Sequence, residues 1–320
     1  MKRCAVLGGA GFVGAAFCRR LHDSGCKVTV VDNLVSEGSG ERFARLPPVV
    51  SFVTDIREFV KRTPCDYDLV VHCAAVVGGR LKIDGDPIGV GTDLAIDADV
   101  FQWVVKAQTT PQLIYFSSSA VYPIELQCRK QHVSLAESLV SQGTARFGRP
   151  DSVYGWAKLT GEMLADYAVR RYGLDCKIYR PFSGYGEDQS FDYPFPSIIR
   201  RVVNRENPIA IWGSGEQCRD FIHIDDIVEA VMQTKDVLKP GDTLNLGTGI
   251  ATSFRDLAFQ ACDVMEHRSP LLACDTSKPE GVFYRVADTY KLSQFYKPKI
   301  TLEEGIRRVA EHLRKADAKT

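Results

Sequence analysis

An α/β fold with a doubly wound parallel sheet is predicted by two features of this 320-residue chain, and its size and composition agree. Short β-branched apolar runs alternate with helical patterns, and a glycine-rich turn joins the first run to the first helix. The runs at 4–7, 27–31, 49–53, 69–72 and 113–117 are too short for helices and read as strands. Between them, 12–24 closes on Gly25, and 92–108 repeats apolar residues every three to four positions, as a helix does. A long polar segment, 124–151, interrupts the rhythm and is a candidate active-site lid. A helix at 154–172 follows, closed by Gly173, then a strand at 176–179. The proline-, glycine- and aromatic-rich stretch 180–196 suits a pocket wall between lobes, and the chain closes with a helix at 301–314. No repeat or low-complexity tract is present.

Forty basic and forty acidic side chains cancel, so no global field draws in nucleic acid or an anionic membrane. A basic partner site must be a local pocket. No stretch reaches the roughly 20 apolar residues of a membrane span. The N-terminal apolar run is too short for a secretory segment. The ten cysteines are scattered, with no C-x-x-C pair and no clustering with histidine that suggests a metal. They are expected to be reduced thiols in a cytoplasmic protein.

Gly8-Gly9-Ala10-Gly11-Phe12-Val13-Gly14 lies directly between the first strand and the first helix. Glycines permit the tight turn and close backbone approach, and the helix N-terminus presents free amides to a pyrophosphate. Asp32, at the end of the second strand, is placed to accept both hydroxyls of an adenosine ribose and to repel a 2′-phosphate, which favours NAD over NADP. Its alternative is to start the turn Asp-Asn-Leu. Asp55-Ile56 either frames an adenine or caps a helix. Tyr154-Gly155-Trp156-Ala157-Lys158 puts a phenol and an ammonium one turn apart on a helix face. A positive charge there favours the phenolate and suits a base, although the same spacing is common on surface helices. Ser117-Ser118-Ser119 follows a strand at the sheet end where ligands bind, and serves either as a hydroxyl bridge to substrate or as a turn.

Together these motifs resemble the extended short-chain dehydrogenase/reductases that act on nucleotide sugars, among them 4-epimerases, GDP-fucose synthases and sugar-nucleotide dehydratases. The resemblance runs nearly end to end through Gly8, Gly11 and Gly14, Asp32, His72-Cys-Ala-Ala75, Ser-Ser-Ser-Ala-Val-Tyr at 117–122, Tyr154-x-x-x-Lys158, Arg180-Pro181 and Arg219-Asp220-Phe221-Ile222-His223-Ile224-Asp225-Asp226. It implies a Rossmann-type sheet at 1–179 and 220–249, and a smaller C-terminal nucleotide-sugar lobe at 180–219 and 250–320. Anchored on Val121-Tyr122, the family's catalytic hydroxyl falls on Ser118, its base on Tyr154 and the partner on Lys158. The implied NAD contacts are Gly8, Gly11, Phe12, Val13, Gly14, Asp32, Asn33, Asp55, Ile56, Ala74, Ala75, Tyr154, Lys158 and Pro181. Gly79, Arg80, Ser118, Ser119, Ser183, Arg219, Lys278 and Arg285 are the expected substrate contacts, with Arg219 at the diphosphate.

Departures from the family pattern narrow the chemistry. Ser119-Ala120 replaces the Asp-Glu pair of the 4,6-dehydratases, and Ala120 stands where enolising relatives carry a cysteine. Ser183 and Asp93 stand where asparagines are frequent. The reading implied is an NAD-dependent epimerase of a GDP- or UDP-sugar, acting at C4 through a transient 4-keto sugar. A dehydratase, decarboxylase or 3,5-epimerase is the alternative, with Tyr193, Glu125 or Cys128 supplying the additional acid or base. A cofactor-sensing regulator is the remote one. No nucleic-acid or membrane partner is expected, and the resemblance implies a homodimer through helices 92–108 and 154–172. Trp212 reads as a core residue, or as a platform for a base.

Overall fold

The computed structural model describes residues 1–130, 132–140, 148–268 and 270–317. Seven strands, β1 (Arg3–Leu7), β2 (Lys27–Asp32), β3 (Val50–Val53), β4 (Leu69–His72), β5 (Gln112–Phe116), β6 (Asp175–Pro181) and β7 (Thr243–Leu246), form one sheet in the order β7-β6-β5-β4-β1-β2-β3. Every neighbouring pair is parallel. The chain winds outward from β1 to β3, returns to lay β4 beside β1, and winds the other way to β7. That reversal opens a crevice at the C-terminal ends of β1 and β4, where ligands bind in such sheets.

The inner strands read as near-continuous apolar runs because both faces are covered, whereas the edge strand β3 is exposed along its length. Cys4, Val6, Val28, Val30, Ile114 and Phe116 face α1 (Phe12–Asp23) and a helix at Ile224–Thr234. The alternate residues Ala5, Leu7, Val31, Leu113 and Tyr115 face α2 (Ile56–Arg62), α3 (Thr92–Val105) and α4 (Ser152–Tyr172). A third core holds Ile198, Ile209, Ile211, Phe221, Leu257 and Val309, apart from the large sheet. Element boundaries differ from the sequence reading by one to three residues, as frayed ends do.

Gly161 lets α4 press onto β5 and α3. A Cβ at that position would overlap the Tyr115 hydroxyl and the Asp97 carboxylate. Farther along, Arg180 of β6 makes a buried two-pronged ion pair with Glu162 of α4, at 2.8 and 2.6 Å. Helix and strand are thereby locked in register.

The described part of 124–151 is packed rather than lid-like. Ser134–Leu135 pairs with the strand Tyr284–Ala287, and Leu135, Val140 and Gln127 are buried. Arg180 donates to the carbonyls of Glu137 and Val140, which pins this stretch to the sheet. Residues 131 and 141–147 of the expected lid lie outside the described residues. Among the described residues, no helix is long and apolar enough to cross a membrane.

Candidate active site

A cleft of about 940 Å³ runs from the glycine turn to the third core. At one end, Gly8 has φ +79°, and a Cβ on it would come within 2.8 Å of the Ala74 backbone. A Cβ on Gly14 would overlap the Gly8 carbonyl. α1 begins at Phe12 with no side-chain cap on Gly11, so its first amides have no carbonyl partner within the helix and carry its positive dipole end. The buried Asp32 accepts from the Ala10 amide at 2.9 Å and the Leu34 amide at 2.8 Å. It therefore shapes the turn, and each oxygen keeps acceptor capacity for a ribose hydroxyl. Asp55 caps α2 through the Arg57 amide at 2.8 Å and still lines the cleft, as do Asn33, Ile56, Ala75, Val13 and Pro181. Arg42, the cation nearest this turn, is engaged by the carbonyls of Ala10, Asp188 and Glu37. These features fit a dinucleotide: a turn closed to side chains, open helix amides and a ribose-facing carboxylate.

The three serines after β5 separate by partner. Ser117 donates to Glu162 and belongs to the core. Ser118 accepts from the Ala120 amide at 3.1 Å and acts on the phenol of Tyr154, favouring its ionised form. Ser119 is buried along the cleft wall. Lys158 lies 5.9 Å from the Tyr154 ring centre and 5.4 Å from that of Tyr115. Burial works to strip the Lys158 proton, but Asp97, Tyr154 and Asp93 outweigh it and hold the ammonium above its ordinary pKa. For Tyr154 the balance differs from the sequence expectation. Burial raises the phenol, Lys158 and Ser118 pull it down only partly, and Asp93 adds to the rise. In the chain alone, desolvation wins.

Facing this triad are three guanidiniums. Asp151, just before α4, takes Arg80 on one oxygen and Arg285 on the other, both at 2.7 Å. Arg219 sits directly across from Arg285 in a parallel pair of short strands, so like charges meet. Among the described residues its side-chain hydrogen bond goes to the Cys218 carbonyl, at 2.8 Å. Burial, with the Arg285 charge next, pushes the Arg219 guanidinium down to about 9. Arg80 also pairs with Asp84 at 2.7 Å, so three cations against two carboxylates leave an excess of one positive charge, which an anion satisfies. Gly79, Arg80 and Ser183 line the same wall.

With that geometry in place, residues 4–247 match the NAD-dependent epimerase/dehydratase family. The chain belongs to this family. A putative GDP-L-fucose synthase 2 of Arabidopsis thaliana is 26% identical over 96% of this chain and 90% of its own. A putative UDP-glucose 4-epimerase of Methanocaldococcus jannaschii is 28% identical over 97% of each chain. The crystal structure of a UDP-glucose 4-epimerase with UDP-glucose from Thermotoga maritima superposes with a TM-score of 0.84, at 24% identity over 98% of this chain and 99% of that one, a likeness of fold. The family is one of enzymes, so this epimerase/dehydratase relative is an enzyme and its cofactor is NAD. When bound, NAD supplies the hydride acceptor and a cationic nicotinamide ring.

Every residue the sequence nominated for NAD or substrate lines this cleft except Lys278. Lys278 is exposed and stands 5.8 Å from the Trp212 ring centre. Its neighbours Pro279 and Glu280 form the wall instead. Trp212 is not a core residue, being partly exposed along the cleft. Sequence reasoning missed Asp151, whose role depends on arginines from distant segments. It also missed Asp97, although two carboxylates one turn apart on an apolar helix face were a signal.

Proposed function

We propose that this enzyme inverts C4 of a nucleotide-diphosphate sugar, GDP- or UDP-linked, through a transient 4-keto sugar. The observation that carries the reading is the pairing of Arg219 with Arg285, an anion-seeking wall across one cleft from Ser118, Tyr154 and Lys158. A diphosphate on the arginines leaves its sugar at the phenol. Tyr154 then takes the C4 hydroxyl proton while Ser118 hydrogen-bonds the same oxygen, and Lys158 favours the phenolate. Return of the hydride to the opposite face of the keto sugar inverts the centre with no net redox change.

The positions of the other acid/base candidates support epimerisation over enolising or dehydrating chemistry. Glu125 is engaged with the Arg149 amide at 3.2 Å, and neither it nor Cys128 lines the cleft. Tyr193 does line it, but burial pushes its phenol up and no cation opposes the rise as Lys158 does at Tyr154, which argues against Tyr193 as the base for a carbon-bound hydrogen. The same reading includes the division into an NAD lobe at 1–179 and 220–249 and a sugar lobe at 180–219 and 250–320, with the protein in the cytoplasm. Leu94 on α3 and Trp156, Met163 and Tyr167 on α4 are exposed, which supports a homodimer through these two helices.

The test is incubation with GDP-, UDP-, CDP- and dTDP-sugars in D₂O, with products read by mass and NMR. A mass-neutral product inverted at C4, without deuterium on carbon, is expected. Loss of water or carbon dioxide, or deuterium at C3 or C5, overturns the reading.

A further inference from the structure

Two carboxylates of α3, Asp93 and Asp97, are buried one turn apart beside Lys158, and their hydrogen bonds are unequal. Asp97 is fully engaged, with His72 Nε2 at 2.9 Å on one oxygen and the Tyr115 hydroxyl at 2.5 Å on the other. Asp93 is only half engaged. One oxygen accepts from the Val76 amide at 2.5 Å, at the start of a cleft-lining loop, and the other is buried without a partner. The Lys158 ammonium makes no direct hydrogen bond among the described residues, so its position rests on the charges around it.

We propose that Asp93 is a positioning residue of the reaction: it shares the Lys158 ammonium with Asp97 and, by gaining or losing its own proton, sets the pH at which Tyr154 ionises. The proposal rests on the reading of Tyr154 and Lys158 as the reacting pair.

The groups that decide the charge of Asp93 come from three packed elements and its own. Lys158 and Tyr154 face it from α4, Asp97 lies one turn along α3, and His72 of β4 and Tyr115 of β5 act through Asp97. Burial pushes the Asp93 carboxyl up to about 6, while Lys158 and then the Val76 amide oppose the rise. Asp97, equally buried, is held below the ordinary carboxylate range by Lys158 and His72 against the pull of burial. Asp97 is thus a fixed anion that balances Lys158, and Asp93 is the group that changes charge near neutrality. Once ionised, Asp93 leaves one negative charge in excess and makes the Tyr154 phenol harder to ionise. A cation entering the cleft offsets that excess and drives the Asp93 proton into the solvent.

Calorimetry of cofactor binding near pH 6, in two buffers of different protonation enthalpy, tests this without any sugar substrate and so independently of the proposed reaction. The wild-type enzyme should release a fraction of a proton on binding NAD⁺ and none on binding NADH. Asp93→Asn, similar in shape, should release none with either. In turnover, the same variant should move the rise of rate with pH downward by about one unit, the size of a single partly screened charge nearby. Proton release unchanged in Asp93→Asn, or an unmoved pH profile, overturns the proposal. A purely structural role for Asp93 would lower the rate by the same factor at every pH. If the variant does not fold, the carboxyl ¹³C titration of the wild type reads the same point: the Asp93 midpoint must fall when NAD⁺ binds, and an unmoved midpoint overturns it.

Discussion

The two walls of the cleft are built on different principles. The cofactor wall is made of backbone, from the turn at Gly8 to Gly14, the ends of β2 and β4, and the first turns of α4. Its buried Lys158 is balanced by Asp97, with Asp93 the neighbouring carboxylate left to change charge. Long side chains make the opposing wall, with Arg80, Asp151, Arg219 and Arg285 arriving from four separate segments and left with an excess of positive charge. One wall is complete before its ligand arrives. The other is held in tension until an anion arrives.

Substitutions should keep the walls distinct, and each can break that distinction. The largest effect belongs to Tyr154→Phe, which should lower kcat by about 10² or more while NAD affinity by calorimetry stays within error. Near wild-type turnover would remove Tyr154 from the chemistry. Next comes Arg219→Ala. Losing a charged hydrogen-bonding partner should weaken nucleoside diphosphate binding by roughly 10- to 100-fold, with NAD binding untouched. Equal losses for both ligands would mean the walls are not independent. Asp32→Ala should act on the cofactor wall alone, erasing an NAD over NADP preference of about tenfold or more. An undiminished preference in the variant would place the discrimination elsewhere. Smallest is the second consequence of Arg219→Ala. By separating like charges across a strand pair it should raise ligand-free stability by about 0.5 kcal/mol, read as a small rise in Tm. A fall in Tm would show that Arg219 is satisfied without a ligand.

What could be read from the chain follows the same divide. The inner strands of the large sheet were visible because burial on both faces leaves unbroken apolar runs, and the glycine turn because its conformation admits few other residues, whereas the edge strand β7 was missed because Thr243 and Asn245 interrupt its apolar residues. Tyr154 and Lys158 were legible because one helical turn fixes their separation. Asp151 was not, because its function lies in Arg80 and Arg285, which no local spacing brings near it. Lys278 misled for the converse reason. It sits in a recognisable string, yet the turn after Asp275 aims it outward over Trp212. The described part of the expected lid is packed instead: polarity suggested solvent, whereas the Glu137 and Val140 carbonyls are bound by the buried Arg180.

Gly161 bears on how this protein could be engineered. Replacing a mid-helix glycine with alanine is a routine route to thermostability, commonly a gain of about 0.5–1 kcal/mol from helix propensity and the unfolded chain. Here the added methyl would meet the Asp97 carboxylate, the anion that balances Lys158, and the Tyr115 hydroxyl that donates to it. A stabilisation screen that ranks substitutions by helix propensity alone would select this site and displace the carboxylate that balances Lys158. The missing side chain is a clearance, and it has to stay empty for the enzyme to work.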